Sequence, residues 1–232
     1  MTILYVILTC QKYLPTRCEW QKRSWLKNVD NYVFISSTPD PDNRVVGWNT
    51  PDDYAGCAQK YVAFFKNTPP TTDWTVCVDD DTFVFPKRLE LLLTLADPSH
   101  PVCIGKVSTE NKMYPPYTSG GGGFAISRVL HERIHSYLNA NSFVPMSIFG
   151  DVTMGEFVKL IGGSFFHDDR FNIRPHTKTG SIRSAVTFHF VTETLFAYYS
   201  TLLDQDDRWS PTETLEPKPL ARLTYIRRKF LR

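Results

Sequence analysis

The 232-residue sequence has almost no excess of either charge, with 26 Lys and Arg against 24 Asp and Glu, a net of +2. That balance excludes a protein whose main work is neutralising the phosphate backbone of a nucleic acid. No apolar run reaches the roughly 18 residues that a membrane-spanning helix needs. The run at residues 3–8 is too short for the apolar core of a signal peptide and lacks a basic leader. There is no internal repeat, no CxxC pair, and no P-loop or G-x-G-x-x-G after the first apolar run, which argues against ATPases and dinucleotide enzymes. What is present is 42% hydrophobic residues with 16 Phe, 11 Tyr and 5 Trp, enough for a real core in a folded enzyme or binding domain.

The five cysteines (Cys10, Cys18, Cys57, Cys77, Cys103) are odd in number, and Cys77 and Cys103 sit in apolar runs. They read as buried, reduced thiols in a cytoplasmic chain; a lumenal domain trimmed from a longer protein is the alternative. Charge is uneven along the chain. Arg222, Arg227, Arg228, Lys229 and Arg232 stand in the last twelve residues without an acid, and setting these five aside takes residues 1–220 to −3. With Leu223, Ile226, Phe230 and Leu231 interleaved, this tail reads as a terminal helix packed on the domain, or as a membrane-surface or partner contact.

Organisation follows from the patterning. ILYVILT (residues 3–9), YVFIS (32–36) and WTVCV (74–78) are short apolar runs of strand type, separated by helical stretches at 17–27 and 55–67. That order predicts a parallel α/β sheet. Residues 37–53, rich in Pro, Asp and Asn, read as loop. Further strands are expected at 102–105, 164–166 and 185–190, and helices at 127–138, 152–161 and 192–203. The boundaries are one domain over 1–203, a connector over 204–219 and the basic tail over 220–232.

The sharpest chemical feature is VDDDTFV (78–84), three consecutive carboxylates directly after an apolar strand. Adjacent carboxylates repel and lose hydration, so a compensating cation is expected. The carboxyl end of a parallel strand is where open α/β sheets bind ligands. A hard divalent ion, Mn2+ or Mg2+, suits an oxygen-rich site that must also leave room for substrate phosphates. A solvated acidic turn is the plainer reading. A haloacid-dehalogenase phosphatase would need DxDx[TV], but the fifth position counted from Asp79 is Phe83, and the strand is the third one.

Six segments in order then resemble the Fringe-like β1,3-glycosyltransferases, carbohydrate-active family 31. They are LTCQKYLPTRCEWQKRSW (8–25), WTVCVDDDTFV (74–84) with Lys60 on the helix before it, CIGKVS (103–108), GGGGFAIS (120–127), GDVTMG (150–155) and VTFHF (186–190). The resemblance implies a GT-A fold with a mixed, mostly parallel sheet flanked by helices. It implies a metal-dependent inverting transferase that moves a sugar from a nucleoside diphosphate donor, such as a UDP-sugar, to a hydroxyl of a glycan or glycosylated protein. By position it implies Asp81, His189 and Asp79 at the metal, with Asp79 near the ribose or metal-bound water. Thr9, Arg17, Lys60, Asp79 and Asp80 would serve the nucleotide and donor, and Gly121, Gly122, Gly123 and Phe124 would wall the site. Asp151 would be the catalytic base.

Duller roles stand beside these. Asp151 suits a helix N-cap, Arg17 a helix-surface charge, and His167 is a rival ligand to His189. Tyr114 and Tyr117 could stack on sugars or merely pack their loop. Gly150 stands where the family often carries a second acid. Typical members are Golgi proteins with an anchor, a stem and disulfides, whereas here the first strand starts at Ile3. The expectation is therefore a compact cytoplasmic relative, or a Golgi-lumenal domain if the chain is a trimmed piece. A non-catalytic sugar-binding module and a metal-dependent phosphoryl or nucleotidyl transferase are the competing functions.

Overall fold

The computed structural model describes residues 1–176, 182–203 and 209. The expected connector, Trp209 apart, and the basic tail lie outside those residues. The first half contains β1 (Ile3–Leu8), α1 (Glu19–Arg23), β2 (Tyr32–Ser36), β3 (Val45–Gly47), α2 (Cys57–Asn67), β4 (Trp74–Asp79), β5 (Phe83–Val84) and α3 (Pro86–Leu93). The second half adds β6 (Val102–Gly105), β7 (Val107–Ser108), β8 (Tyr117–Thr118), β9 (Phe124–Ser127), α4 (Arg128–Ala140) and α5 (Gly150–Leu160). The described chain closes with β10 (Ser164–His167), β11 (Phe171–Asn172), β12 (Thr187–Phe188) and α6 (Glu193–Leu203).

Seven strands form the central sheet in the order β10-β6-β9-β4-β1-β2-β3. All run parallel except β9, which is antiparallel to both β4 and β6. Alternation along the strands feeds two cores. Tyr5, Ile7, Trp74, Val76 and Val78 face one core with Trp25, Leu89, Leu93, Phe196 and Tyr199. Val6, Leu8 and Cys77 face the other with Tyr61, Phe64, Leu130, Ile134, Met154 and Phe157. The sheet is thus sandwiched between helices, as a parallel sheet buried on both faces requires. None of the described helices is long and apolar enough to cross a membrane. All five cysteines are unpaired, with Cys18, Cys77 and Cys103 buried.

Several local readings are corrected. The helix expected over 17–27 is three pieces: a π-turn at Leu14–Cys18, α1, and a 3-10 turn at Trp25–Asn28. The break falls at Ser24, whose hydroxyl donates to Trp20 O at 2.6 Å and competes with the helix ladder. The stretch 37–53 is not all loop, because Val45 and Val46 extend and pair with Phe34 and Ile35 as β3. FAIS, to which the sequence assigns no strand, is the fully buried strand β9 inside the sheet, between β6 and β4. The strand expected at 185–190 shrinks to Thr187–Phe188. Pro86 opens α3, which the sequence reading left unassigned.

One buried polar group couples the fold to pH. His131 on α4 is fully buried; Nε2 meets Thr68 O at 2.9 Å and Nδ1 meets the Thr75 hydroxyl at 3.0 Å. A carbonyl only accepts, so Nε2 carries the proton and Nδ1 accepts from Thr75, which fixes the neutral tautomer. Burial lowers this imidazole from 6.5 to about 4. The unfolded chain therefore binds a proton that the folded chain refuses between about 6.5 and about 4. Stability is full above that window and falls through it by roughly 3 kcal/mol as pH drops. Urea unfolding at about pH 7.5 and about pH 4.5 should show the loss, and His131→Gln should lose less over the same interval. Parallel pH dependences in the two proteins would refute the assignment.

Candidate active site

The site forms at the carboxyl edge of β1 and β4, where the chain leaves two adjacent buried strands. Leu8 pairs with Asp79, Asp80 N–H donates to Leu8 O, and Thr9 N–H donates to Ile35 O. The three acids then fan apart. Asp80 turns to β1, accepting from the Thr9 hydroxyl at 2.7 Å and from Arg17 Nη1 at 2.9 Å. Asp79 and Asp81 reach toward β12, Asp81 keeping one oxygen on Arg17. There β12 pairs antiparallel with β5 and delivers His189, whose Nε2 lies 3.0 Å from Asp81 Oδ1 and 3.7 Å from Asp79 Oδ2. Donor atoms of Asp79, Asp81 and His189 all lie within 4.8 Å of one another, the one such group among the described residues.

The electrostatics match a cation site. Burial, reinforced by the charges of Asp81, Asp80 and Asp151 and opposed by His189, pushes Asp79 up to about 7. Burial also raises Asp80 against the pull of Arg17 and Thr9. Burial presses the His189 imidazole down, but the Asp81 hydrogen bond and the charges of Asp81 and Asp79 together outweigh it and leave the pKa raised. Two carboxylates and one imidazole whose donor atoms converge this closely are a donor set suited to a hard divalent ion such as Mn2+ or Mg2+. His167 is placed elsewhere: its Nε2 faces Asp169 at 3.2 Å and its Nδ1 accepts from Val107 N–H.

The surrounding residues hold this arrangement. Arg17 spans Asp80 and Asp81, the latter at 3.2 Å, and rests on the Tyr13 ring. Lys60, read as a nucleotide contact, is only 2% exposed, and its ammonium is already bonded to Thr9 O at 2.7 Å and Asp52 at 3.0 Å. Lys60 thereby braces the end of β1. Two residues were missed. Gln21 is fully buried and its amide donates to Asp79 O and Thr82 O, fastening the acidic turn to α1. Asp52 joins Lys60, Ser36 and the Gln11 N–H. A buried Gln three residues after Cys18 carries no pattern, so no sequence signal marked it.

The glycine run lies between His189 and Asp151. Thr82 donates to Gly121 O at 2.9 Å, and the Thr187 hydroxyl donates to Gly122 O. Gly123 N–H closes a turn onto Gly120 O. Gly120 N–H donates to Asp151 Oδ2 at 3.1 Å. A Cβ on Gly121 would overlap the His189 ring, so only glycine lets that imidazole stand beside the loop. Gly121→Ala should displace His189 and weaken divalent-ion binding about tenfold or more, by calorimetric titration with Mn2+. Unchanged affinity would show that the ring is free to shift. Phe124, grouped with this wall in the sequence reading, is instead fully buried, its ring 6.0 Å from Tyr61. Strand alternation turns it into the core, and the wall is glycine backbone.

Asp151 lies in the first turn of α5, but the N-cap is Phe149, which corrects the N-cap reading. Its Oδ1 accepts from Val152 N–H at 2.8 Å and its Oδ2 from Gly120. Burial raises its pKa, while these backbone donors and the helix start moderate the shift. Gly150 before it abuts the Tyr61 ring, where any side chain would collide. A second acid at that position has no space. Tyr114 lies 6.3 Å from Phe149, and Tyr117 is part of β8.

A family model described as Fringe-like matches residues 1–201. A glycoprotein-N-acetylgalactosamine 3-beta-galactosyltransferase 1 from Xenopus laevis is 26% identical, over 69% of this chain and 45% of its own. A beta-1,3-N-acetylglucosaminyltransferase radical fringe from Gallus gallus is 24% identical, over 74% of this chain and 56% of its own. The chain spans about half the length of the curated relatives it matches. Among solved structures, the galactosyltransferase LgtC in complex with donor and acceptor sugar analogs superposes with a TM-score of 0.50 at 12% identity, covering 91% of this chain and 98% of that one. At that identity the likeness establishes the fold alone, a GT-A glycosyltransferase fold. By the match over residues 1–201, the chain belongs to the Fringe-like family.

Proposed function

We propose that the protein is an inverting glycosyltransferase that moves a sugar from a UDP-linked donor to a hydroxyl of a glycan or glycosylated protein. The observation that carries this reading is the meeting of Asp79, Asp81 and His189 with Asp151 across one glycine loop. Asp79, Asp81 and His189 would hold Mn2+ or Mg2+, which when bound offsets negative charge on the departing diphosphate. Asp80, Arg17 and Thr9 line the β1 side, where they are positioned to meet the nucleotide. Asp151, held by Gly120 and Val152, takes the proton from the acceptor hydroxyl as that oxygen attacks the anomeric carbon. A single base opposite the leaving group gives one displacement and inverts the anomeric configuration.

The relatives' names make UDP-galactose, UDP-N-acetylglucosamine and UDP-glucose the first donors to test. Incubation with each, with and without Mn2+, should release UDP in a metal-dependent manner. Release of monophosphate or pyrophosphate instead would indicate phosphoryl or nucleotidyl transfer. Donor binding without any release would indicate a binding module.

A further inference from the structure

Two residues before Asp151, Phe149 belongs to a row of aromatic rings to which the transfer scheme assigns no role. Phe149 caps α5. Its ring packs edge-on against Tyr54 on one side, centroids 5.9 Å apart at 68°, and against Tyr114 on the other, 6.3 Å apart at 75°. Phe149 and Tyr114 are half-buried, whereas Tyr54 is 69% exposed. An aromatic ring left this open forfeits most of the free energy that burying it would release.

Tyr54 is also held in place. It opens a 3-10 turn, Tyr54–Gly56, in which the Asp53 carboxylate accepts from Ala55 N–H at 2.9 Å. A few residues on, Ala58 N–H donates to Ile148 O at 3.1 Å, tying the start of α2 to the segment that enters α5. Partial burial, then the charges of Asp151 and other neighbours including Asp79, push the Tyr54 phenol up. The Tyr54 ring thus stands against Phe149, the residue that caps the helix whose first turn carries Asp151.

We infer that Tyr54 is the platform for the acceptor sugar, its ring lying against the C–H face of the pyranose whose hydroxyl Asp151 deprotonates. The inference rests on the proposed transfer reaction. A pyranose carries hydroxyls around its rim and an apolar face of C–H bonds. An exposed aromatic beside a hydrogen-bonding carboxylate matches both. The donor sugar belongs between the Asp79–Asp81–His189 cluster and Asp151. Tyr54, open to water and carried on the same aromatic row as the base's helix cap, is on the side from which the acceptor arrives.

The test uses the full chain with the donor that releases UDP and the acceptor it glycosylates fastest among methyl and benzyl hexopyranosides. Tyr54→Ala should raise the acceptor KM about tenfold, equivalent to about 1.4 kcal/mol, with the donor KM within about twofold of wild type. Tyr54→Phe should restore the wild-type acceptor KM, because the face and not the hydroxyl makes the contact. A thermal melt checks that Tyr54→Ala is folded. An unchanged acceptor KM, an effect on the donor KM instead, or a Phe variant as impaired as Ala would each overturn the assignment. If wild type releases UDP from no donor, the transfer reading has failed on its own. Saturation-transfer NMR with the methyl glycosides then still decides the platform: signal lost in Tyr54→Ala supports it, and signal retained overturns it.

Discussion

Asp151→Asn should lower kcat about a thousandfold with donor, acceptor and Mn2+ saturating, while the donor KM stays within about threefold. An amide is not a base, and general-base contributions are typically 10²–10⁴-fold. The local fold should survive. The asparagine oxygen can still accept from Val152 N–H or Gly120 N–H, and the other donor loses a partner, a cost of about 1–2 kcal/mol. The pH profile gives an independent readout. Burial raises the Asp151 pKa, so the working carboxylate forms only as pH climbs through a range above the ordinary one. Wild-type kcat should rise along an acidic limb set by that group, and Asp151→Asn should lose this limb together with the rate. Near wild-type kcat in the asparagine variant would remove Asp151 from the role of base.

Asp81→Ala should abolish the response to metal, and this is the second large effect. A ligand that binds only the folded state stabilises it by RT ln(1 + [L]/Kd), about 2.7 kcal/mol at a hundredfold excess over Kd. For a chain of this size that corresponds to a rise in Tm of roughly 5–11 °C. Wild type should show such a shift with Mn2+ and lose it on adding chelator. Asp81→Ala removes the carboxylate that meets both His189 and Arg17, so its metal-dependent shift should vanish. Asp80→Ala is the contrasting variant. Asp80 faces Thr9 and Arg17 rather than His189, so most of the metal-dependent shift should remain while the donor KM rises. Equal loss in both variants would mean that the acids act as one diffuse charge rather than as a ligand set with a separate nucleotide side.

Much of this arrangement was legible because the chemistry is local. Three carboxylates directly after an apolar strand mark a strand end with an electrostatic problem, and the order of strand and helix patterns marks a parallel sheet. The glycine run signalled close backbone approach. What stayed hidden depends on partners far away in sequence. FAIS is four apolar residues, too short to show a period, and its place as the antiparallel strand between β4 and β6 is fixed only by those neighbours. Lys60 is a cation on a helix in any reading. Its burial against Thr9 O and Asp52 follows from packing α2 against β1 and the loop before it.

The sequence by itself therefore determined the class of fold, the acidic strand end and the residue types of the site, since periodicity, charge and spacing are properties of the chain. It also left His167 and His189 as rivals, because two histidines in short late segments look alike without coordinates. The tertiary structure separates those positions by pairing β12 with β5, which sets His189 3.0 Å from Asp81 and leaves His167 against Asp169. It likewise decided that Phe149 and not Asp151 caps α5, that Gly150 has no space for a second acid beside Tyr61, and that Tyr54 stands exposed against Phe149. Each of these is a statement about which side chains share a volume. A one-dimensional pattern carries no such information, because strand pairing and helix packing bring residues together from separations of ten to more than a hundred positions.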